Sequence, residues 1–171
     1  MEAEGVPAIV DFVSWFVVRG NATGGYQCNE DTAACTGALT MLCARNTTGD
    51  ADYAWFDFQE CMMSDPDAEP GNAEGCAAKH KIDWATVSTC VAGSLGQDLL
   101  GEAERIREKL TNPPYMYAPD IRIMGKQFTD PPATANYLKH ICGLYNGTTK
   151  PAGCSASNIE RAEESLIAAS K

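Results

Sequence analysis

The sequence predicts one α/β domain in which short strands flank a cysteine-rich helical segment. The chain has 171 residues and 44% hydrophobic composition, which is enough for one core but hardly for two. Helical periodicity extends through most of the chain, whereas residues 13–18 and 121–128 have the composition and alternation of strands. Eight cysteines add the expectation that disulfides stabilise the fold.

The cysteines are dispersed along the chain. No two of them are separated by only two residues, which excludes the usual zinc-binding pattern and the usual Cys-x-x-Cys redox motif. An even, dispersed set favours structural disulfides in an oxidising compartment. The alternative is eight reduced cysteines in a cytosolic core, because free cysteine also packs as a small hydrophobe. The set consists of Cys28, Cys35, Cys43, Cys61, Cys76, Cys90, Cys142 and Cys154.

The chain is acidic, with a formal net charge of -10 at pH 7 and no cluster of Lys or Arg. Nucleic acid and anionic membrane surfaces would repel it, so we expect no nucleic-acid partner. Three glycosylation sequons begin at Asn21, Asn46 and Asn146, each among turn-forming residues that tolerate a glycan. Sequons and cysteines together predict an acidic glycoprotein in a lysosomal, secretory or other organelle lumen.

The N-terminus does not fit that compartment. A secretory signal begins with basic residues and continues into an apolar run, but this chain begins Met-Glu-Ala-Glu. The apolar run Val6–Val18 is interrupted by Asp11 and is too short to span a bilayer. We therefore expect no transmembrane segment, and we expect the native chain to be longer at its N-terminus.

The first half of the chain predicts one strand followed by helices. Val13–Val18 is β-branched and aromatic and is expected to end at Arg19-Gly20-Asn21. Cys28 is expected to open a helix, because Asn29, Glu30 and Asp31 suit its first turn. Helical patterns then cover Tyr53–Met63, Ala73–Lys79 and Trp84–Val91, with a Pro- and Gly-containing loop at Ser64–Asn72.

Ser94 and Gln97 form a capping box that begins a helix to about Leu110. Glu104 and Arg107 are expected on its solvent side, where they could form a weak ion pair. Thr111-Asn112-Pro113-Pro114 ends this helix, because proline disfavours helix in the residue before it. The expected buried stripe consists of Leu95, Leu99, Ala103, Ile106 and Leu110.

In the last third of the chain, the spacing of apolar residues changes from helical to strand-like. Ile121–Met124 alternates like a strand, Gly125-Lys126 turns the chain, and Gln127-Phe128 begins the return strand of a hairpin. A helix is expected over Pro131–Tyr145, and Ser157 begins an amphipathic tail helix to about Ser170.

Three stretches resemble the gamma-interferon-inducible lysosomal thiol reductase (GILT) family over roughly residues 13–154. Cys28, Cys35 and Cys43 keep the family's spacing, although Asn29-Glu30-Asp31 stand where the family has Gln-His-Gly. Phe58–Met62 followed by Cys76 and Cys90 resembles its mid-domain cysteines. Tyr115–Gln127, followed by Cys142 and Cys154, resembles its Tyr-x-Pro motif and the strand before an Asn-Gly-Lys turn.

The resemblance implies a thioredoxin-like α/β fold with a helical, disulfide-rich insertion. It places that domain at residues 1–154 and an amphipathic helical tail at 155–171. It also implies that Pro119 is a cis proline beside the redox cysteines and that Ala118 offers backbone to a substrate chain. The first strand and the catalytic helix of such a fold are missing from this chain. We expect that strand to be supplied upstream, by a re-threaded 6–18, or by a neighbouring protein.

The family's catalytic Cys-x-x-Cys is absent. Without an attacking thiol and a resolving thiol, the domain cannot carry out thiol–disulfide exchange. We therefore expect a non-catalytic, structural or binding subunit of a larger lumenal or membrane-attached assembly, which binds a protein partner through 157–171 and an exposed sheet edge. The alternatives are a thiol reductase whose active site lies upstream, and a secreted disulfide-rich domain similar only in cysteine spacing.

No cofactor or metal is expected. His80 and His140 lie far apart, and neither has a carboxylate or cysteine at ligand spacing. The disulfide pairing is open, since eight cysteines allow 105 connectivities. We expect Cys142 to pair with Cys154, and Cys28 to pair with Cys35 or Cys43.

Overall fold

The protein is described by a computed structural model. The described residues are 5, 6, 8, 10, 16, 18–21, 25–28, 32–49, 53–110, 121–124, 126–128 and 136–169. The chain divides into two compact units, one of residues 15–116 and one of residues 1–14 with 117–171. The tail helix therefore shares a unit with residues 117–154, and a domain boundary at residue 154 stays a prediction.

The larger unit is a helical cluster beside one β-hairpin. Strand β1 (Val18–Asn21) pairs antiparallel with β2 (Gly25–Cys28), with Val18 opposite Cys28. A short 3-10 turn at Pro66–Ala68 interrupts the loop between the second and third helices. The helices of this unit are α1 (Thr32–Thr48), α2 (Ala54–Met63), α3 (Ala73–Lys79), α4 (Trp84–Ala92) and α5 (Ser94–Leu110).

The hairpin corrects two expectations from the sequence. Arg19-Gly20-Asn21 continues strand β1 instead of ending it, and Cys28 ends strand β2 instead of opening a helix. The cause is pairing between the strands, because their ladder satisfies backbone groups that a local helix would otherwise satisfy. Helix α1 consequently begins at Thr32. Residues 13–15 and 17 of the expected first strand lie outside the described residues.

Helix α1 lies at the centre of the larger unit. It packs against α2, α4 and α5, which explains why its apolar residues are not confined to one face. Even Thr40 is 2% exposed, and its hydroxyl donates to the Thr36 carbonyl oxygen at 2.7 Å. The largest buried side chains around it include Trp55, Phe58 and Met62 from α2, Val87 from α4 and Leu100 from α5.

Helix α5 has the predicted bounds, and its buried face matches the predicted stripe in part. Ala103 is buried and Leu99 packs against the core, as expected. Leu95 is 43% exposed, however, whereas Leu100 is 1% exposed.

The buried side of α5 also carries Gly96, where a Cβ would lie 2.8 Å from the Cys90 carbonyl oxygen. Only a residue without a side chain fits this close approach. Arg107, expected on the solvent side, is buried as well.

The smaller unit contains a hairpin and two helices. Strands β3 (Arg122–Ile123) and β4 (Lys126–Gln127) pair antiparallel, which confirms the predicted hairpin. Asn136 immediately precedes the first helix, and residues 131–135 of the expected helix lie outside the described residues. Phe128 contacts His140, with ring centroids 4.5 Å apart. The helices are α6 (Tyr137–Leu144) and α7 (Ala156–Ala169), with a 3-10 turn at Ala152–Cys154 before α7.

The described residues form two separate two-stranded pairs and no larger sheet. The fold is therefore mainly helical in this part of the chain, and the implied thioredoxin-like sheet is not seen there. Each pair joins two strands that are neighbours in sequence. The expectation that another segment or another protein supplies a missing central strand therefore stays a prediction. Within the same residues no helix is long and apolar enough to cross a bilayer.

The buried face of α5 can be tested with one buried and one exposed leucine of the same helix. Leu100→Ala should lower the free energy of unfolding by about 2–5 kcal/mol, because it removes buried contacts and leaves a cavity. The matched control Leu95→Ala should change it by less than about 0.5 kcal/mol, because that side chain is exposed. Urea denaturation measures both, and a larger loss for Leu95→Ala would contradict the assigned face.

Candidate functional site

Three disulfides tie neighbouring elements together. Cys43 of α1 is bonded to Cys90 of α4, with 5.8 Å between their Cα atoms. Cys61 of α2 is bonded to Cys76 of α3 at the same Cα separation. In the smaller unit, a third bond joins α6 to the turn before α7. These separations fall in the ordinary range for disulfides, so each bond fits its helix pair.

The observed disulfides test part of the cysteine pairing that was expected from the sequence. Cys142 is bonded to Cys154, as expected. Because Cys43 is bonded to Cys90, the proposed pairing of Cys28 with Cys43 is wrong. Cys35 is also in a disulfide, while the side chain of Cys28 lies outside the described residues. None of the described cysteines is a free thiol.

The disulfides differ in exposure. Cys43 is fully buried, and Cys90 and Cys76 are each 5% exposed. Cys61 is half-buried, which makes the bond to Cys76 more accessible than the bond between Cys43 and Cys90. Thiol exchange requires a thiolate to reach a sulfur atom. The burial of these cysteines therefore suits cross-linking more than exchange.

An open depression lies next to Cys90. It lies between the end of α1, one face of α4 and the start of α5, and has a volume of about 510 Å³. Cys90 is its buried residue, and Ala85 and Leu95 add apolar surface. We call it the α4–α5 depression. Its polar lining consists of Asn46, Thr47, Thr86, Thr89 and Ser94.

The threonines of this depression donate their hydrogens within the protein. The Thr47 hydroxyl donates to the Cys43 carbonyl oxygen at 2.8 Å, and Thr89 donates to the Ala85 carbonyl oxygen at 2.8 Å. Thr86 donates to Oδ2 of Asp83 at 2.6 Å. A hydroxyl that has given its hydrogen keeps acceptor capacity. The depression therefore offers acceptors to a ligand rich in hydroxyl or amide donors.

Asp83 fixes the edge of the depression by capping helix α4. Its Oδ1 accepts from the backbone N–H groups of Ala85 and Thr86 at 3.1 and 3.4 Å. The hydrogen bond from the Thr86 side chain, together with those from the backbone, lowers the pKa of the Asp83 carboxyl below its usual value. The carboxylate therefore stays ionised at neutral pH and holds Thr86 in place.

The other expected site residues are only partly described. Ala118 and Pro119 lie outside the described residues, so the substrate-facing loop stays a prediction. Asn46 is exposed in the last turn of α1, and not in a turn as expected; Asn146 is exposed after α6. Asn21 ends strand β1. Use of the three sequons stays a prediction.

The two histidines are not brought together as a site. His80 follows α3 and is half-buried. His140 is exposed on α6, in the other unit. Among the described residues, no three His, Cys, Asp or Glu side chains are placed to hold a metal ion.

One charged pair in α5 differs from its expected environment. Arg107 donates from Nε and Nη2 to the two carboxylate oxygens of Glu104, each at 2.7 Å. The side chains are 9% and 13% exposed. The hydrogen bond from Arg107 to Glu104 raises the pKa of the guanidinium, so it stays charged. The spacing of the pair was visible in the sequence, but its burial depends on which face of α5 packs against the neighbouring helices.

In the smaller unit, two interactions fasten α7 to α6. The Asn136 side chain accepts from Lys139 N at 3.0 Å and donates to the Ile159 carbonyl oxygen at 3.2 Å. Lys139 donates to Glu163 at 2.7 Å. The hydrogen bond and the opposite charge raise the pKa of Lys139 and lower that of Glu163.

The described part of the protein is thus a disulfide-linked, mainly helical domain whose described cysteines are oxidised. No family model matches the sequence. Over 76 residues the chain is 32% identical to the gamma-interferon-inducible lysosomal thiol reductase of Mus musculus. The similarity covers 44% of this chain and 29% of the reductase, so the chain spans less than a third of that relative. The similarity and the disulfides both indicate an oxidising compartment.

The disulfides should be reduced in a fixed order. With dithiothreitol under native conditions, Cys61–Cys76 should open before Cys43–Cys90, because Cys61 is half-exposed and Cys43 is fully buried. Quenching with an alkylating agent and mapping the labelled peptides by mass spectrometry measures the order. Earlier labelling of the Cys43–Cys90 pair would show that this bond is more accessible than its burial indicates.

Removing one partner of the Glu104–Arg107 pair should destabilise the protein more than replacing both partners with apolar residues. Glu104→Leu alone should lower the free energy of unfolding by about 1–3 kcal/mol, because it removes both hydrogen bonds that the nearly buried guanidinium makes to this carboxylate. Adding Arg107→Met should recover most of that loss. Denaturant titration of the two single variants and the double variant measures the coupling. Additive losses would mean that the two side chains do not stabilise each other.

The attachment of α7 should weaken at both pH extremes. Since the pKa of Glu163 is lowered, its contribution is present above the ordinary value of 4.5 and is lost as pH falls through the folded-state pKa. Since the pKa of Lys139 is raised, its contribution is lost as pH rises above 10.5. NMR titration should show the Glu163 pKa moving upward in Lys139→Gln. Glu164→Gln is the control, and an unmoved Glu163 pKa would contradict the pair.

Proposed function

We propose that this protein is a GILT-like domain of thioredoxin-like ancestry that acts without catalysis, as a structural or binding subunit of a larger lumenal or membrane-attached assembly. The observation that carries the proposal is the state of the cysteines. Every described cysteine is in a disulfide, and the sequence contains no Cys-x-x-Cys. A reductase needs an accessible thiolate and a resolving thiol.

The disulfides serve a stabilising role in this proposal. Among the described residues of the smaller unit, the buried hydrophobic ones are Val6, Cys142 and Cys154, and the bond between the two cysteines joins α6 to the turn before α7. Closing a loop of 12 residues by a disulfide stabilises a fold by about 3 kcal/mol in the chain-entropy model. The cysteines are therefore structural, and all eight are assigned this role.

A protein partner would bind at the tail helix and at an exposed strand edge. The tail helix is fixed on one side by Asn136 and Lys139. Its Glu160, Arg161 and Glu164 remain exposed, which leaves a charged face for a partner. Within the described residues each hairpin has two strands only, and the outer edge of such a pair can accept a further strand. Neither nucleic acid nor a cofactor is part of this proposal.

The second candidate is a thiol–disulfide oxidoreductase of the GILT type. The observation that favours it is the similarity to a protein named as a lysosomal thiol reductase. In this case an additional segment would carry the Cys-x-x-Cys, with Pro119 as the cis proline beside it and Ala118 facing the substrate.

Activity and mass measured together distinguish the two functions. The native protein should not accelerate the reduction of a disulfide-linked peptide by dithiothreitol, whereas the mouse reductase should do so in a parallel assay. Alkylation before reduction should add no mass to the native protein, because each cysteine is bonded. Acceleration above the uncatalysed rate, together with two readily alkylated cysteines, would overturn the proposal and establish the reductase.

A further inference from the structure

The α4–α5 depression combines three features that the proposed function does not use. It is bordered by an exposed asparagine in a glycosylation sequon, Asn46-Thr47-Thr48. It contains Cys90, half of the buried Cys43–Cys90 disulfide. Its hydroxyl groups are placed as acceptors. Asn46 and Cys90 are 44 positions apart in sequence, so their meeting at one surface is a product of the fold.

We propose that an N-linked glycan on Asn46 lies over the α4–α5 depression and shields the Cys43–Cys90 disulfide from thiols. The occupant is the attached saccharide itself, whose first unit is an N-acetylglucosamine. The proposal requires passage through the secretory route and holds for either of the two candidate functions.

The lining of the depression has the chemistry that a saccharide matches. Sugar hydroxyls and the acetamide N–H are hydrogen-bond donors, and the Thr47, Thr86 and Thr89 oxygens are acceptors because their own hydrogens are already donated. The carbon face of a sugar ring suits the apolar surface of Ala85 and Leu95. A volume of about 510 Å³ accommodates a sugar residue.

Shielding follows from where the disulfide is exposed. Cys43 is fully buried and Cys90 is 5% exposed, so among the described residues Cys90 is the more accessible half of this disulfide. Cys90 is also the buried residue of the depression that Asn46 borders. A saccharide in that depression occupies the space that an attacking thiolate needs. Asn146, the other exposed sequon asparagine, belongs to the other unit.

The test begins with the full chain secreted from eukaryotic cells. Peptide mapping should find a glycan on Asn46. The rate of reduction of each disulfide by dithiothreitol is then followed by timed alkylation in the native protein, in Asn46→Gln and in Asn146→Gln. Asn46→Gln should accelerate reduction of Cys43–Cys90 at least about threefold, a change of about 0.7 kcal/mol in the barrier. Asn146→Gln should leave that rate unchanged.

Cys61–Cys76 is the internal control, because it lies in the same unit and neither cysteine lines the α4–α5 depression. If Asn46→Gln accelerated both disulfides equally, the substitution would have loosened the whole unit and shielding would be refuted. Enzymatic trimming of the glycan from the folded native protein repeats the comparison without a substitution, and it should reproduce the selective acceleration. An unmodified Asn46, or equal rates with and without the glycan, also overturns the proposal.

Discussion

The larger unit depends on how closely α4 and α5 approach the central helix α1. The Cys43–Cys90 bond fixes α1 against α4, and Gly96 lets the α5 backbone reach the Cys90 carbonyl oxygen and the Leu39 side chain. Any larger residue at this position would meet backbone, which cannot move aside cheaply. The α4–α5 depression lies beside this contact region, because Cys90 lines it and α5 begins at its edge.

The helices could be predicted from the sequence because their information is local. Periodicity and capping residues placed α2, α3, α4 and α5 within a residue or two of their observed bounds. The buried face of α5 could be predicted only in part. Ala103 of the expected stripe is buried, but Leu95 is exposed and Leu100, outside the stripe, is buried. Which face of a helix is buried is decided by the neighbouring helices, and the periodicity of one helix carries no information about those neighbours.

The candidate site was predictable in its components and not in its arrangement. The cysteine count and dispersion indicated disulfides, and the pairing of Cys142 with Cys154 followed from their proximity in sequence. The pairing of Cys43 with Cys90 spans 47 residues and depends on helix packing. The start of α1 was misplaced because Asn29-Glu30-Asp31 suits a helix, while Cys28 is held in a strand pair. The depression beside Cys90 combines three segments and has no linear motif.

The order of the disulfides along the chain has a consequence for folding. The Cys61–Cys76 bond lies inside the segment closed by Cys43–Cys90, so the two cross-links are nested. Bringing together residues 15 apart costs less chain entropy than bringing together residues 47 apart. Once α2 and α3 are joined, the path between Cys43 and Cys90 is effectively shorter. The inner bond therefore lowers the entropic cost of closing the outer one. The native connectivity is favoured when the shorter loop closes first.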